Sequence, residues 1–212
     1  MPDVRFGLFG FPVHIAPGAF ILAGIILVFG LSGGGLTSSL VFVAVAVASI
    51  LLHELGHAFA AKAFRLQPID ITLHGFGGMT RHRRPDRPWK ALLISLAGPG
   101  AGLAVVPVAL GLGLLQLPGV GGWLVEYLFL VNLVWSLFNL LPVYPLDGGQ
   151  ALGSILAMVI PSVATTVTVS IGLVGAVIMG VVFLVQGEWW IVFIAGMLAS
   201  QNYRILQSLR RR

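Results

Sequence analysis

The stretch Ala48-Ser49-Ile50-Leu51-Leu52-His53-Glu54-Leu55-Gly56-His57-Ala58-Phe59 decides how the rest of the chain is read. Two histidines four residues apart share one face of an α-helix, about 6 Å apart along its axis. Both imidazoles can therefore reach one metal ion, and Glu54, next to the first of them, can touch a metal-bound water. This is the H-E-x-x-H arrangement of zinc hydrolases. Its setting is unusual, because Leu40 to Ala61 is otherwise apolar and, at about 20 residues, long enough to cross a bilayer. An ionisable group at the centre of such a helix costs about 2.5–3.5 kcal/mol or more, and three together mark a functional site.

Composition agrees. Of 212 residues 58% are hydrophobic and 9% charged, against about 25% charged in a soluble domain. The reading is an all-α polytopic membrane protein of about six spans with a small membrane-associated β-sheet, residues 1–212 forming a single domain. There are no cysteines, which excludes disulfides and thiolate-held metals. The net charge of +5 does not point to nucleic acid, since the basic residues sit beside the spans.

Working outward, Val4 to Ile15 (VRFGLFGFPVHI) reads as a hairpin at the membrane surface. A first span follows, about 17–33, retained rather than removed as a signal peptide because no A-x-A pattern follows it. Gly33-Gly34-Gly35 makes a turn into the second span, about 37–64, which holds the metal motif. In Leu66 to Thr80, Ile69, Ile71 and Leu73 alternate with Asp70, Thr72 and His74, the period of a strand. Gly75, Gly77 and Gly78 then allow close backbone approach. Further spans are expected at about 89–115, 121–141, 162–185 and 188–207, with a short interfacial helix over 150–160. All twelve Lys and Arg residues, from Arg5 through the 81–90 loop to Arg212, fall on one side of this layout. The positive-inside rule puts that side, with both termini and the motif's end of the second span, in the cytoplasm.

Two histidines leave a catalytic zinc short of one protein ligand. His14, His74, His82 and Asp147 are available, and Asp147 is the strongest candidate. The fourth span must return to the same side, and Pro142 and Pro145 keep the approach to Asp147 extended. An ordinary helix-capping role is the competing account of Asp147.

HELGH in an apolar helix, Asn139-Leu140-Leu141-Pro142 leading to Pro145-Leu146-Asp147-Gly148-Gly149 about ninety residues later, the N-terminal strands and Ser95-Leu96-Ala97-Gly98-Pro99-Gly100-Ala101-Gly102 together resemble the site-2 protease family of intramembrane zinc metalloproteases. The resemblance implies one Zn2+ held by His53, His57 and Asp147, with Glu54 as acid/base. A strand edge bordered by Gly77 and Gly78, on which unwound substrate is expected to lie, is read from the residues themselves, whereas the resemblance adds Asn139 as a substrate contact. It further implies cleavage of transmembrane proteins or peptides near their cytoplasmic side, in a multi-pass protein of the cell membrane. The family's PDZ-like insertion and cystathionine-β-synthase pair have no counterpart here. Two other classes remain. A zinc-binding chaperone or regulator without protease activity would not need Glu54. A transporter would be expected to show repeated halves, and no repeat is visible.

Overall fold

The computed structural model describes residues 4–75 and 77–211. The chain begins with β1 (Val4–Leu8) and β2 (Phe11–Ile15), antiparallel and joined through Phe9 and Gly10. Both linking residues have positive φ, 51° and 83°, as a two-residue hairpin that follows the strand twist requires. Next comes α1 (Pro17–Ala63), helical through Gly33 and Gly34 and broken only at Gly35, φ 76° and ψ 174°. The expected three-glycine turn is thus a single non-helical residue.

After α1, the alternating segment forms β3 (Asp70–His74), parallel to β2, and the glycines begin β4 (Gly77–Arg81), antiparallel to β3. The order β1-β2-β3-β4 leaves β4 as an edge strand. Val13 opposes Ile71, both with no exposed surface, and Phe11 and Leu73 are buried with them. This face packs on the last turns of α1, where Phe59 meets the Phe11 ring edge-on at 5.2 Å. The Lys62 ammonium lies 5.1 Å from the same ring. The period of two that buries Ile71 and Leu73 also turns their partners Thr80 and Gly78 toward α1.

Five elements follow: α2 (Pro88–Gly113), α3 (Val120–Asn139), α4 (Asp147–Val159), α5 (Ala164–Val185) and α6 (Trp189–Arg210). The expected interfacial helix is α4, beginning three residues earlier than anticipated. Among the described residues four segments are long and apolar enough to cross a membrane: Gly35–Ala63, Pro88–Gly113, Val120–Asn139 and Ala164–Val185. The helical stretch before Gly35 and α6 are not among them. The second half of α6 carries Gln201, Asn202, Arg204, Gln207 and Arg210, which interrupt its apolar run. Of the basic tail, Arg212 lies outside the described residues.

The chain divides into two compact units, residues 1–84 with Ala97–Leu137, and Pro85–Leu96 with Phe138–Arg212. In the first, small and polar residues fasten the helices. Asn132 Nδ2 on α3 donates to Ser49 Oγ on α1 at 2.9 Å, Ser38 and Tyr127 share a hydroxyl hydrogen bond of 2.5 Å, and the Phe42 and Tyr127 rings meet edge-on. In the second, Val143, Ala176 and Leu198 form a core joined by Phe138, Leu141, Leu146, Met179 and Ile194. There α5 and α6 enclose the extended segment between α3 and α4.

A paired substitution tests the close packing of α1 on α2. A Cβ on Gly56 would strike the carbonyl oxygen of Ala97, with the carbonyl carbon at 2.9 Å, whereas a Cβ on Gly100 meets nothing within 4 Å. Gly56→Ala is expected to cost about 1–3 kcal/mol, and Gly100→Ala to be neutral or slightly stabilising, measured by denaturation in detergent.

Candidate metal centre

The helical repeat of α1 brings His53 and His57 together, 3% and 8% exposed. Their Nε2 atoms are 3.2 Å apart and the rings are nearly perpendicular, at 81°. Two imidazole nitrogens brought this close are an arrangement that a cation fits. Tetrahedral zinc with Zn–N of about 2.0–2.1 Å requires the two nitrogens about 3.3 Å apart. The donor atoms therefore fit such an ion.

Backbone has been cleared around these rings. A Cβ on Gly98 of α2 would collide with the His57 imidazole, its Cε1 at 2.5 Å. The sequence placed Gly98 in a helix-packing segment; the structure adds that it makes room for His57. On another side, the Trp135 indole of α3 faces His53 edge-on, centroids 6.4 Å apart. Gly77, with φ 124°, passes close beneath that indole, a Cβ there falling 2.9 Å from two of its carbons.

Glu54 is 4% exposed and packs under β4. A Cβ on Gly78 would clash with the Glu54 side chain, Oε1 at 2.6 Å and Cδ at 2.7 Å. Thr80 Oγ1 donates to Glu54 Oε2 at 2.7 Å and lies 3.0 Å from the Glu54 carbonyl oxygen. The Gly-rich segment thus forms a strand laid directly over Glu54. Thr80 was not among the residues singled out in the sequence.

In the second unit, Asp147 is the first residue of α4 and is buried, and Asn139 is buried at the end of α3. The chain between them closes tightly. A Cβ on Gly148 would strike the carbonyl of Leu140, and one on Gly149 the backbone nitrogen of Tyr144, at 2.5 Å. Asn202 of α6, without exposed surface, donates through Nδ2 to the carbonyls of Tyr144 at 2.5 Å and Leu198 at 2.8 Å. It fastens the segment leading into Asp147, and nothing in its sequence position foretells this. His14 and His74 lie in strands β2 and β3, and His82 follows β4.

The chain is similar to known proteins in sequence and in fold. Peptidase family M50 matches residues 41–121. A Synechocystis protein named as a zinc metalloprotease is 36% identical over 173 residues, covering 72% of this chain and 44% of its own length. A zinc metalloprotease of Methanocaldococcus jannaschii is 28% identical over 153 residues, with the same shares covered. The chain therefore spans under half the length of these curated relatives. The solved site-2 protease from Methanocaldococcus jannaschii has the same fold, with TM-score 0.74 and 24% identity over 97% of this chain and 95% of that one. The protein is built as an apolar helical membrane protein with a histidine pair fit for a metal. Its sequence is similar to peptidase family M50 over residues 41–121, and its fold is that of the solved site-2 protease.

Replacing Asn202 with the similarly sized Leu leaves the Tyr144 carbonyl without the Asn202 donor. The expected result is a loss of about 1–3 kcal/mol in stability, with faster amide exchange over residues 143–149, read by hydrogen-exchange mass spectrometry.

Proposed function

We propose that this chain is an intramembrane zinc metalloendopeptidase, hydrolysing peptide bonds within or beside transmembrane segments of membrane proteins or peptides. The observation that carries the proposal is the convergence of the His53 and His57 Nε2 atoms beside a buried Glu54. The donor set proposed is His53, His57 and Asp147, two imidazoles and a carboxylate, all buried, a common make-up for catalytic zinc with one position left open. When bound, the zinc supplies Lewis acidity, polarising the scissile carbonyl and making water acidic enough to ionise near neutral pH.

The chain's own residues do the rest. Glu54 accepts the proton of the attacking water and delivers it to the leaving amide nitrogen, so one carboxylate serves as base and then as acid. Trp135 of α3, edge-on to His53, covers that side of the site against water. A helical substrate hides its scissile bond in its own hydrogen bonds, so the cleaved stretch has to unwind. Edge strand β4, with Gly77 and Gly78, offers ladder hydrogen bonds to such a stretch, and Asn139 contributes a further polar contact to it. The presence of Glu54 within this polar site supports hydrolysis over zinc storage or a chaperone role.

We further propose that residues 1–212 work as one domain, with about six passages through the cell membrane when the helix before Gly35 and α6 are counted. The bias of all twelve Lys and Arg residues supports cytoplasmic termini and cleavage near the cytoplasmic side. The cleavage would release a cytoplasmic fragment or clear a remnant peptide.

Zinc content and cleavage of a panel of single-span peptides, measured together, test this reading. The native chain is expected to hold one zinc and to cleave. Glu54→Gln should keep the zinc and lose at least about a hundredfold in kcat. His57→Ala should lose both. Zinc bound with no cleavage of any peptide by the native chain would overturn the protease reading.

A further inference from the structure

Strand β4 brings one hydroxyl to the carboxylate that the proposed reaction uses twice. Thr80 Oγ1 lies 2.7 Å from Glu54 Oε2 and 3.0 Å from the Glu54 carbonyl oxygen. The strand register explains why. Thr80 opposes Ile71 and Gly78 opposes Leu73, two buried residues of the sheet face that lies on α1. Gly78, lacking a side chain, lets the strand come down on Glu54, and Thr80 then reaches it.

We propose that Thr80 is a positioning residue that keeps the Glu54 carboxyl aimed at the reacting atoms through both halves of the proton transfer. The inference rests on the role proposed for Glu54 above. A threonine hydroxyl has one proton to donate and lone pairs to accept with. Against the Glu54 carboxylate it donates to Oε2. Once Glu54 holds the transferred proton on its other carboxyl oxygen, Oε2 is the carbonyl oxygen of the acid and goes on accepting from Oγ1. The second acceptor, the Glu54 carbonyl oxygen, ties the same hydroxyl to the helix backbone, so its position does not depend on the form of the carboxyl. Glu54 therefore keeps the same contact, and its rotamer, whichever form it is in. Bonds and protons balance without any further reactant, since Thr80 itself neither gains nor loses a proton overall.

The test compares Thr80→Val, which keeps the shape and removes the hydroxyl, with Thr80→Ser, which keeps the hydroxyl. The substrate is a quenched fluorescent single-span peptide with a Gly-Pro pair near one end, in phosphatidylcholine vesicles with the zinc-loaded full chain. Thr80→Val is expected to lower kcat about tenfold to a hundredfold with KM within about twofold of native, and Thr80→Ser to restore most of the loss. Zinc content should stay native in both. Independently of cleavage, the Glu54 carboxylate band, isolated as the native-minus-Glu54→Gln infrared difference, should shift in Thr80→Val and return in Thr80→Ser. An unmoved band in Thr80→Val, or native kcat in that variant, overturns the inference. Equal loss in Thr80→Ser and Thr80→Val overturns it too, because it makes Thr80 a packing residue. A native chain that cleaves nothing counts against the protease reading instead, and the infrared comparison then decides the Thr80 contact by itself.

Discussion

The structure depends on one unfavourable placement: two imidazoles and a carboxylate within about one and a half turns of an otherwise apolar helix. In hydrocarbon such groups are tolerated only when protein, rather than lipid, surrounds them and supplies their partners. Every neighbour of His53, Glu54 and His57 described above serves this need. Trp135 faces one ring, Gly98 makes way for the other, and β4 closes over the carboxylate. The small sheet is thus a cover for Glu54 as well as a surface element.

Close approach is achieved by omitting side chains. Gly56 lets α1 and α2 touch at the level of the motif, Gly98 leaves room for an imidazole, and Gly78 lets strand backbone reach Glu54. In a membrane helix, helices gain little from burying apolar surface against one another, since lipid is equally apolar, so close van der Waals packing and polar contacts hold them. The Asn132–Ser49 and Ser38–Tyr127 hydrogen bonds fit the same logic. Packing and chemistry use the same residues here. Gly56 and Gly98 set a helix separation that also sets where the histidines stand.

What the sequence reveals follows from how far apart the interacting residues lie. The histidine pair is legible because its spacing is the helical repeat itself, and β3 because Ile69, Ile71 and Leu73 alternate with polar neighbours. Strand β4 carries no such alternation: Gly77-Gly78-Met79-Thr80 shows almost no hydropathy contrast, and its identity as a strand comes from pairing with β3. Thr80 is one hydroxyl residue among many until that register turns it inward. Asn202 binds a main-chain carbonyl 58 positions away, and a carbonyl has no letter in the sequence. Gly35 shows the opposite limit, since three glycines suggested a turn where one positive-φ residue sufficed to break the helix.

The two kinds of element around the motif differ in what they can hold fixed. An α-helix fixes spacing along its axis by its own hydrogen bonds, which suits two ligands that must keep one separation. It does little for the χ angles of a glutamate, whose several rotamers differ little in energy. A carboxylate that must present the same oxygen to successive partners therefore needs a restraint from outside its helix. Here that restraint comes from a strand whose two-residue period points one hydroxyl and one missing side chain at the same group. A helix crossing above Glu54 would have offered contacts every three or four residues and no free ladder edge. The strand constrains the carboxylate through its inner face while its pairing with β3 holds it in register, so the geometry of Glu54 is set by the sheet as well as by its own helix.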